Sequence, residues 1–210
     1  MYKRQIYGWA KAGTFFKAFT HIDKTSGIPR PALWLTFGLS IFWTLPFPSW
    51  EQLISVVSAA LVLSYAIAPV TAAGLRRNAP DLPRPFRVRA FGIIGPVSFM
   101  ISALIVYWSG WNTLSWLLGL QIVMFVVYVM CKGKVPEHTV SLAQQVKSSL
   151  WLIVFYALII LFSWLGSFGG LNVIGHPWDT VLVAAMSLGI YYWGARSCLP
   201  QANFSGDEEE

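Results

Sequence analysis

Six long stretches of this 210-residue chain carry no charged side chain: 31–47, 53–75, 91–111, 114–131, 150–166 and 180–195. Most are as long as the roughly 17 to 25 apolar residues that a helix needs to cross about 30 Å of hydrocarbon. The last run is the shortest and can start earlier, at Pro177, because proline is tolerated in a first helical turn. Inside lipid every backbone N–H and C=O must find a partner within its own segment, which predicts a helix for each run. The composition agrees: 56% of residues are hydrophobic and 11% charged, against about 25% charged in soluble domains. The expected fold class is an all-α polytopic membrane protein with six transmembrane helices.

The charges between the runs are sorted by side. Lys3, Arg4, Lys11, Lys17, Lys24 and Arg30 precede the first run, and Arg76, Arg77, Arg84, Arg87 and Arg89 separate the second from the third. Lys132, Lys134 and Lys147 separate the fourth from the fifth, and Arg196 follows the sixth. The alternate connections contain no lysine or arginine and carry only Glu51 and Asp179 as acids. Cytoplasmic connections retain basic residues, so both termini are expected in the cytoplasm and the chain in the cell membrane as a multi-pass protein. The five arginines of LRRNAPDLPRPFRVRAFG then act as topology determinants near anionic lipid headgroups. Prolines in that loop stop one helix and delay the next. A nucleic-acid partner is not expected, since such a surface would not require every other charge to obey membrane sidedness.

Tryptophans 43, 50, 108, 111, 116, 164 and 178 fall near one set of predicted helix ends, and Trp151 and Trp193 near the other. Interfacial belts explain this placement, because indole is apolar with a single donor. Cys131 and Cys198 read as two free thiols. The acidic tail QANFSGDEEE reads as a disordered end.

No catalytic constellation is present, and an enzyme is not expected. His21, His138 and His176 lie in different loops, and no nucleophile elbow, phosphate loop or metal spacing occurs. No cofactor or metal is implied. The second run offers the best candidate site. At 100° per residue Ser55, Ser58, Val62, Tyr65 and Pro69 share one helix face within about 80°. Pro69 cannot donate to the Tyr65 carbonyl, which frees that acceptor and favours a bend. Ser55, Ser58, Tyr65 and Pro69 are therefore gate-lining candidates, the alternative being a small-residue packing seam. Glu51 at the start of that helix is explained by the helix dipole.

Two stretches carry a family resemblance. YGWAKAGTFFKAFTHIDKTSGIPRPALWLTF (7–37) resembles a signature of the amino acid/polyamine/organocation permeases at Tyr7, Ala10, Lys11, Gly13, Lys17, Phe19, Gly27, Pro29, Ala32 and Leu33. It departs at Phe16, where many members have proline. LISVVSAALVLSYAIAPVTAAGLRRNAPDLPRPFRV (53–88) resembles the tenth helix of these permeases and the Arg-rich loop after it. The resemblance implies two inverted repeats of five helices with further helices at the C-terminus, and alternating access. On that alignment residues 1–30 hold the end of the eighth helix and a cytoplasmic segment, and 31–75 two helices of the second repeat. Residues 76–90 form the cytoplasmic Arg/Pro loop, 91–196 four peripheral helices and 197–210 the tail. The extra pair of helices suggests a fourteen-helix branch such as the aspartate–proton symporter-like permeases.

The resemblance further implies a C-terminal fragment of a secondary amino acid transporter, driven by protons or exchange. The helices that would bind substrate fall outside it, so no substrate-binding residue carries over. Expected partners are the bilayer, the missing N-terminal helices, an amino acid and protons, with a homodimer through the peripheral helices as a further option. The rival reading is a non-transporting six-helix membrane scaffold or assembly protein.

Overall fold

The computed structural model describes residues 6–8, 10, 16–23, 29–44, 49–80, 86–131 and 142–198. Among them all regular structure is helical. A short 3-10 turn, Lys17–Thr20, precedes six α-helices: α1 (Arg30–Thr44), α2 (Trp50–Asn78), α3 (Phe91–Trp108), α4 (Trp111–Cys131), α5 (Leu142–Leu165) and α6 (Trp178–Ser197). Each apolar run of the sequence overlaps one of these helices; the third run continues past α3 through the turn at Ser109 and Gly110, and residues 45–47 of the first lie outside the described residues. The agreement has a simple cause, because uninterrupted apolar runs this long leave helix as the structure that pairs their backbone. α6 begins immediately after Pro177, its N-cap.

Three helices are long and apolar enough to cross a membrane among the described residues: α2, α3 and the Lys147–Leu165 part of α5. α1 has 15 described residues, and residues 45–48 that follow it lie outside the described residues. α6 has the length but is less apolar, for a reason visible in its packing: its buried face holds Asp179, Ser187 and Gly194. Large side chains such as Ile54, Leu61, Ile93, Ile101, Ile105 and Leu161 are exposed on the outer faces. A water-soluble monomer rarely tolerates that much contiguous apolar surface, whereas lipid accepts it at no cost.

Local signals set the helix ends. The Ser49 hydroxyl accepts the Gln52 N–H at 3.2 Å, an N-cap bond for α2. Glu51 sits in the first turn and Arg76 and Arg77 in the last, each sign favoured by the helix dipole at its end. These two arginines thus lie on the helix, ahead of the loop proper. α2 runs through Pro69 without interruption. Gly110 takes a left-handed φ of 87°, which lets the chain turn directly from α3 into α4.

Contacts divide the chain into two units, Met1–Ile54 with Gly119–Thr139, and Ser55–Leu118 with Val140–Glu210. In the first, the 3-10 turn packs on α1, Arg30 pairs with Asp23 at 2.6 Å, and Arg30, Leu33, Trp34 and Phe37 line an open groove.

The second unit has its centre where α6 packs on α3 and α5. Phe99 of α3 marks the junction, with its ring 5.1 Å from Phe155, 6.4 Å from Trp151 and 6.0 Å from Tyr191. Aromatic rings sit over glycines on neighbouring helices. A Cβ on Gly95 would collide with the Tyr191 hydroxyl, and one on Gly194 would come within 2.8 Å of Trp151 and 2.9 Å of Val70. Helices in lipid associate through close packing of this kind rather than through a hydrophobic driving force.

Candidate functional site

α2 presents two different faces. Val56, Ala59, Leu63, Ala66, Val70 and Gly74 are buried. The stripe singled out from the sequence lies about 100° around the helix from them, at 100° per residue. Ser55, Ser58 and Tyr65 are exposed, Tyr65 by 66%, and Pro69 is half-buried. These residues therefore share one open surface. Ser64 and Thr71 on the same helix donate to the carbonyls of Leu61 and Ile67, at 2.7 and 3.1 Å. Among the described residues Ser55 and Ser58 make no such bond, so their hydroxyls remain available.

Of the arginine strip, Arg76 is half-buried with its guanidinium 4.0 Å above the Phe91 ring, while Arg77, Arg87 and Arg89 are exposed. Arg84 lies outside the described residues.

A polar cluster at the far end of the second unit was not anticipated from the sequence. Asp179, in the first turn of α6 just ahead of its apolar run, is 1% exposed. Its Oδ2 accepts the Tyr107 hydroxyl at 2.8 Å, the Ser167 hydroxyl at 2.5 Å and the Ser167 N–H at 3.3 Å. Its Oδ1 accepts the Thr180 N–H at 2.6 Å and the Thr180 hydroxyl at 3.2 Å. The His176 ring nitrogen Nδ1 stands 3.6 Å from the same oxygen. Burial alone would raise the Asp179 pKa; donors from Ser167, Tyr107 and the backbone outweigh it and hold the carboxyl below its usual range. The group is consequently an anion with filled acceptor sites, suited to fastening helices and poorly suited to exchanging a proton.

The connection from α5 to α6 folds over this carboxylate. Leu171 N–H donates to Trp164 O at 2.7 Å, Ile174 N–H to Leu165 O at 3.0 Å, and Trp111 N–H to Phe168 O at 2.9 Å. The ring of Phe168 packs edge-on to Tyr107 at 5.5 Å. Gly166 is required by crowding, since a Cβ there would overlap the Tyr107 hydroxyl and lie 2.7 Å from Phe162 O. One sequence signal pointed this way: Asp179 is one of two acids on its side of the predicted membrane. Its partner Tyr107 is 72 residues away and looks like one more belt aromatic.

Among the described residues no three His, Cys, Asp or Glu side chains group closely enough to hold a metal ion.

An all-helical chain with exposed apolar faces and helices long enough to span a bilayer is an integral membrane protein. Comparison with known proteins narrows the class. Over 206 residues, 98% of this chain, it is 55% identical to the aspartate-proton symporter of Bacillus subtilis (strain 168), covering 40% of that protein. Over 196 residues, 92% of the chain, it is 31% identical to the glutamate/serine transporter AimA of the same organism, covering 36% of it. The chain thus spans about two fifths of the length of the curated relatives it matches. No family model matches it, and no solved structure does.

Proposed function

We propose that this chain forms the C-terminal helices of a secondary active transporter of the amino acid/polyamine/organocation type, moving an acidic amino acid together with protons, or by exchange, through alternating access. The observation that carries this reading is the 55% identity to an aspartate-proton symporter across 98% of the chain. The name of the second relative also includes an acidic amino acid. The unused hydroxyls of Ser55 and Ser58 and the exposed Tyr65 give α2 the polar surface of a gate-lining helix. α3, α5 and α6 are knit to one another and would form the periphery. The substrate-binding helices would belong to the part of the transporter outside the aligned two fifths. A chain of this kind has six membrane crossings in the cell membrane, with both ends and the Arg/Pro loop in the cytoplasm.

The test uses the transporter that contains this chain, reconstituted in proteoliposomes. Aspartate uptake should follow an imposed proton gradient and collapse with a protonophore; for an exchanger, uptake should survive the protonophore when amino acid is loaded inside. Ser58→Leu should slow uptake several-fold with normal membrane insertion. Unchanged kinetics would make the stripe a packing seam, and absence of uptake by the unmodified protein would favour the scaffold reading. Sidedness is tested separately. Replacing Arg76, Arg77, Arg84, Arg87 and Arg89 with Gln should give mixed topology by cysteine-accessibility labelling, and a uniformly oriented loop would contradict the charge argument.

A further inference from the structure

We propose that the end of α2 and the start of α3 form a site for the phosphate headgroup of an anionic phospholipid, centred on Arg76. The proposal rests on the membrane placement of the chain, whichever amino acid is carried.

The Arg76 guanidinium carbon lies over the ring of Phe91, the first residue of α3, 4.0 Å from its centroid. A guanidinium held over an aromatic ring still presents N–H donors that can make a bidentate phosphate contact. Arg77 is exposed beside it, and Arg89 is exposed two residues before Phe91. The end of α6 is tied to the same place: Asn78 Nδ2 donates to Cys198 O at 3.2 Å, which brings Arg196 to the same end of the unit. Among the described residues none of these arginines pairs with a carboxylate. The described acid of this unit, Asp179, stands at the other end of the helices with its acceptor sites filled.

Depth favours lipid as the source of the phosphate. α3 is 18 residues long and rises about 27 Å at 1.5 Å per residue. That is nearly one hydrocarbon thickness between the Arg76–Phe91 contact and the Tyr107 end. Tyr192 and Trp193, both exposed, lie about one turn before Arg196, where amphipathic rings mark the headgroup level. Phe86, 81% exposed and next to Arg87, supplies a further exposed apolar group five residues before Phe91. A soluble anion makes no use of exposed aromatics, whereas a phospholipid presents acyl chain and phosphate together.

The test is native mass spectrometry of the detergent-solubilised protein titrated with phosphatidylglycerol or phosphatidylcholine. Phosphatidylglycerol should bind at least several-fold more tightly. Arg76→Gln should weaken its binding about fivefold, the scale of one cation at a membrane surface. Arg76→Lys, which keeps the charge and loses the planar fork of donors, should give a smaller loss, as should Phe91→Leu. Arg30→Gln, in the other unit, should change nothing. If Arg76→Gln does not fold, Arg76→Lys and Phe91→Leu carry the test. Equal binding of the two lipids, variants that retain full phosphatidylglycerol affinity, or full displacement by inorganic phosphate at matched concentration would each overturn the proposal.

Discussion

The Asp179 cluster and the open stripe of α2 treat polar groups in opposite ways. Around Asp179 a full charge is buried, yet both carboxylate oxygens are saturated by donors from Tyr107, Ser167 and Thr180. On α2, Ser55, Ser58 and Tyr65 are far less polar, yet they are exposed and the serines bond to nothing described. A buried polar group is tolerated when it is fully paired, and removing a partner costs the desolvation of whatever is left behind. A polar group left open on a membrane helix implies contact with something beyond the packed unit: another helix, or a water-filled path. The first region therefore fastens helices to one another, and the second is left open to a contact beyond the packed unit.

That contrast makes graded predictions. Asp179→Ala should have the largest effect, destabilising by about 3 kcal/mol, because buried Tyr107 and half-buried Ser167 become donors without an acceptor. Thermal unfolding in detergent, followed by tryptophan fluorescence, measures it; a loss within error would mean the carboxylate fastens nothing. Gly166→Ala should cost about 2 kcal/mol by pushing the Tyr107 hydroxyl off the carboxylate, and its effect should shrink in a Tyr107→Phe background. Tyr107→Phe alone should cost about 1.5 kcal/mol, since Ser167 still serves the same oxygen.

Acid should leave the cluster intact over an unusually wide range. The folded pKa of Asp179 is depressed, so its contribution is fully present above the unfolded carboxylate value of about 3.9. It is lost only as pH falls through the lower, folded value. The stability difference between the unmodified protein and Asp179→Asn should therefore stay constant from neutral pH to about pH 5. A difference that grows as pH falls from 7 to 5 would show instead a carboxyl whose folded pKa burial has raised. At the small end, Ser55→Ala and Ser58→Ala should shift stability by less than about 0.5 kcal/mol, and a larger loss would move the stripe into the structural class.

The two regions also differ in how readily the sequence revealed them. The six helices were legible because the bilayer permits little else for long charge-free runs, and Pro177 marked the start of α6. The α2 stripe was legible as a face, since serines and a proline at helical spacing stand out among Val, Leu and Ala. Which side of α2 packs inward was not legible: Val56, Ala59 and Leu63 face the unit while Val57 and Leu61 do not, and lipid and protein interior are equally apolar. The Tyr107–Asp179 bond was hidden by its separation along the chain. Arg76 on Phe91 was hidden differently, because charge counting ranks all five arginines alike and only geometry singles out one.

The most direct test compares Ser58→Cys with Ser187→Cys, each in a background with Cys131 and Cys198 replaced by serine, in membranes of cells producing this protein. Ser187 is fully buried, with its hydroxyl on Ala184 O at 2.8 Å, while Ser58 lies on the open stripe. The account predicts that a water-soluble thiosulfonate modifies the Ser58→Cys protein, at a rate altered by substrate, and leaves the Ser187→Cys protein unmodified. Equal protection at both positions would contradict it.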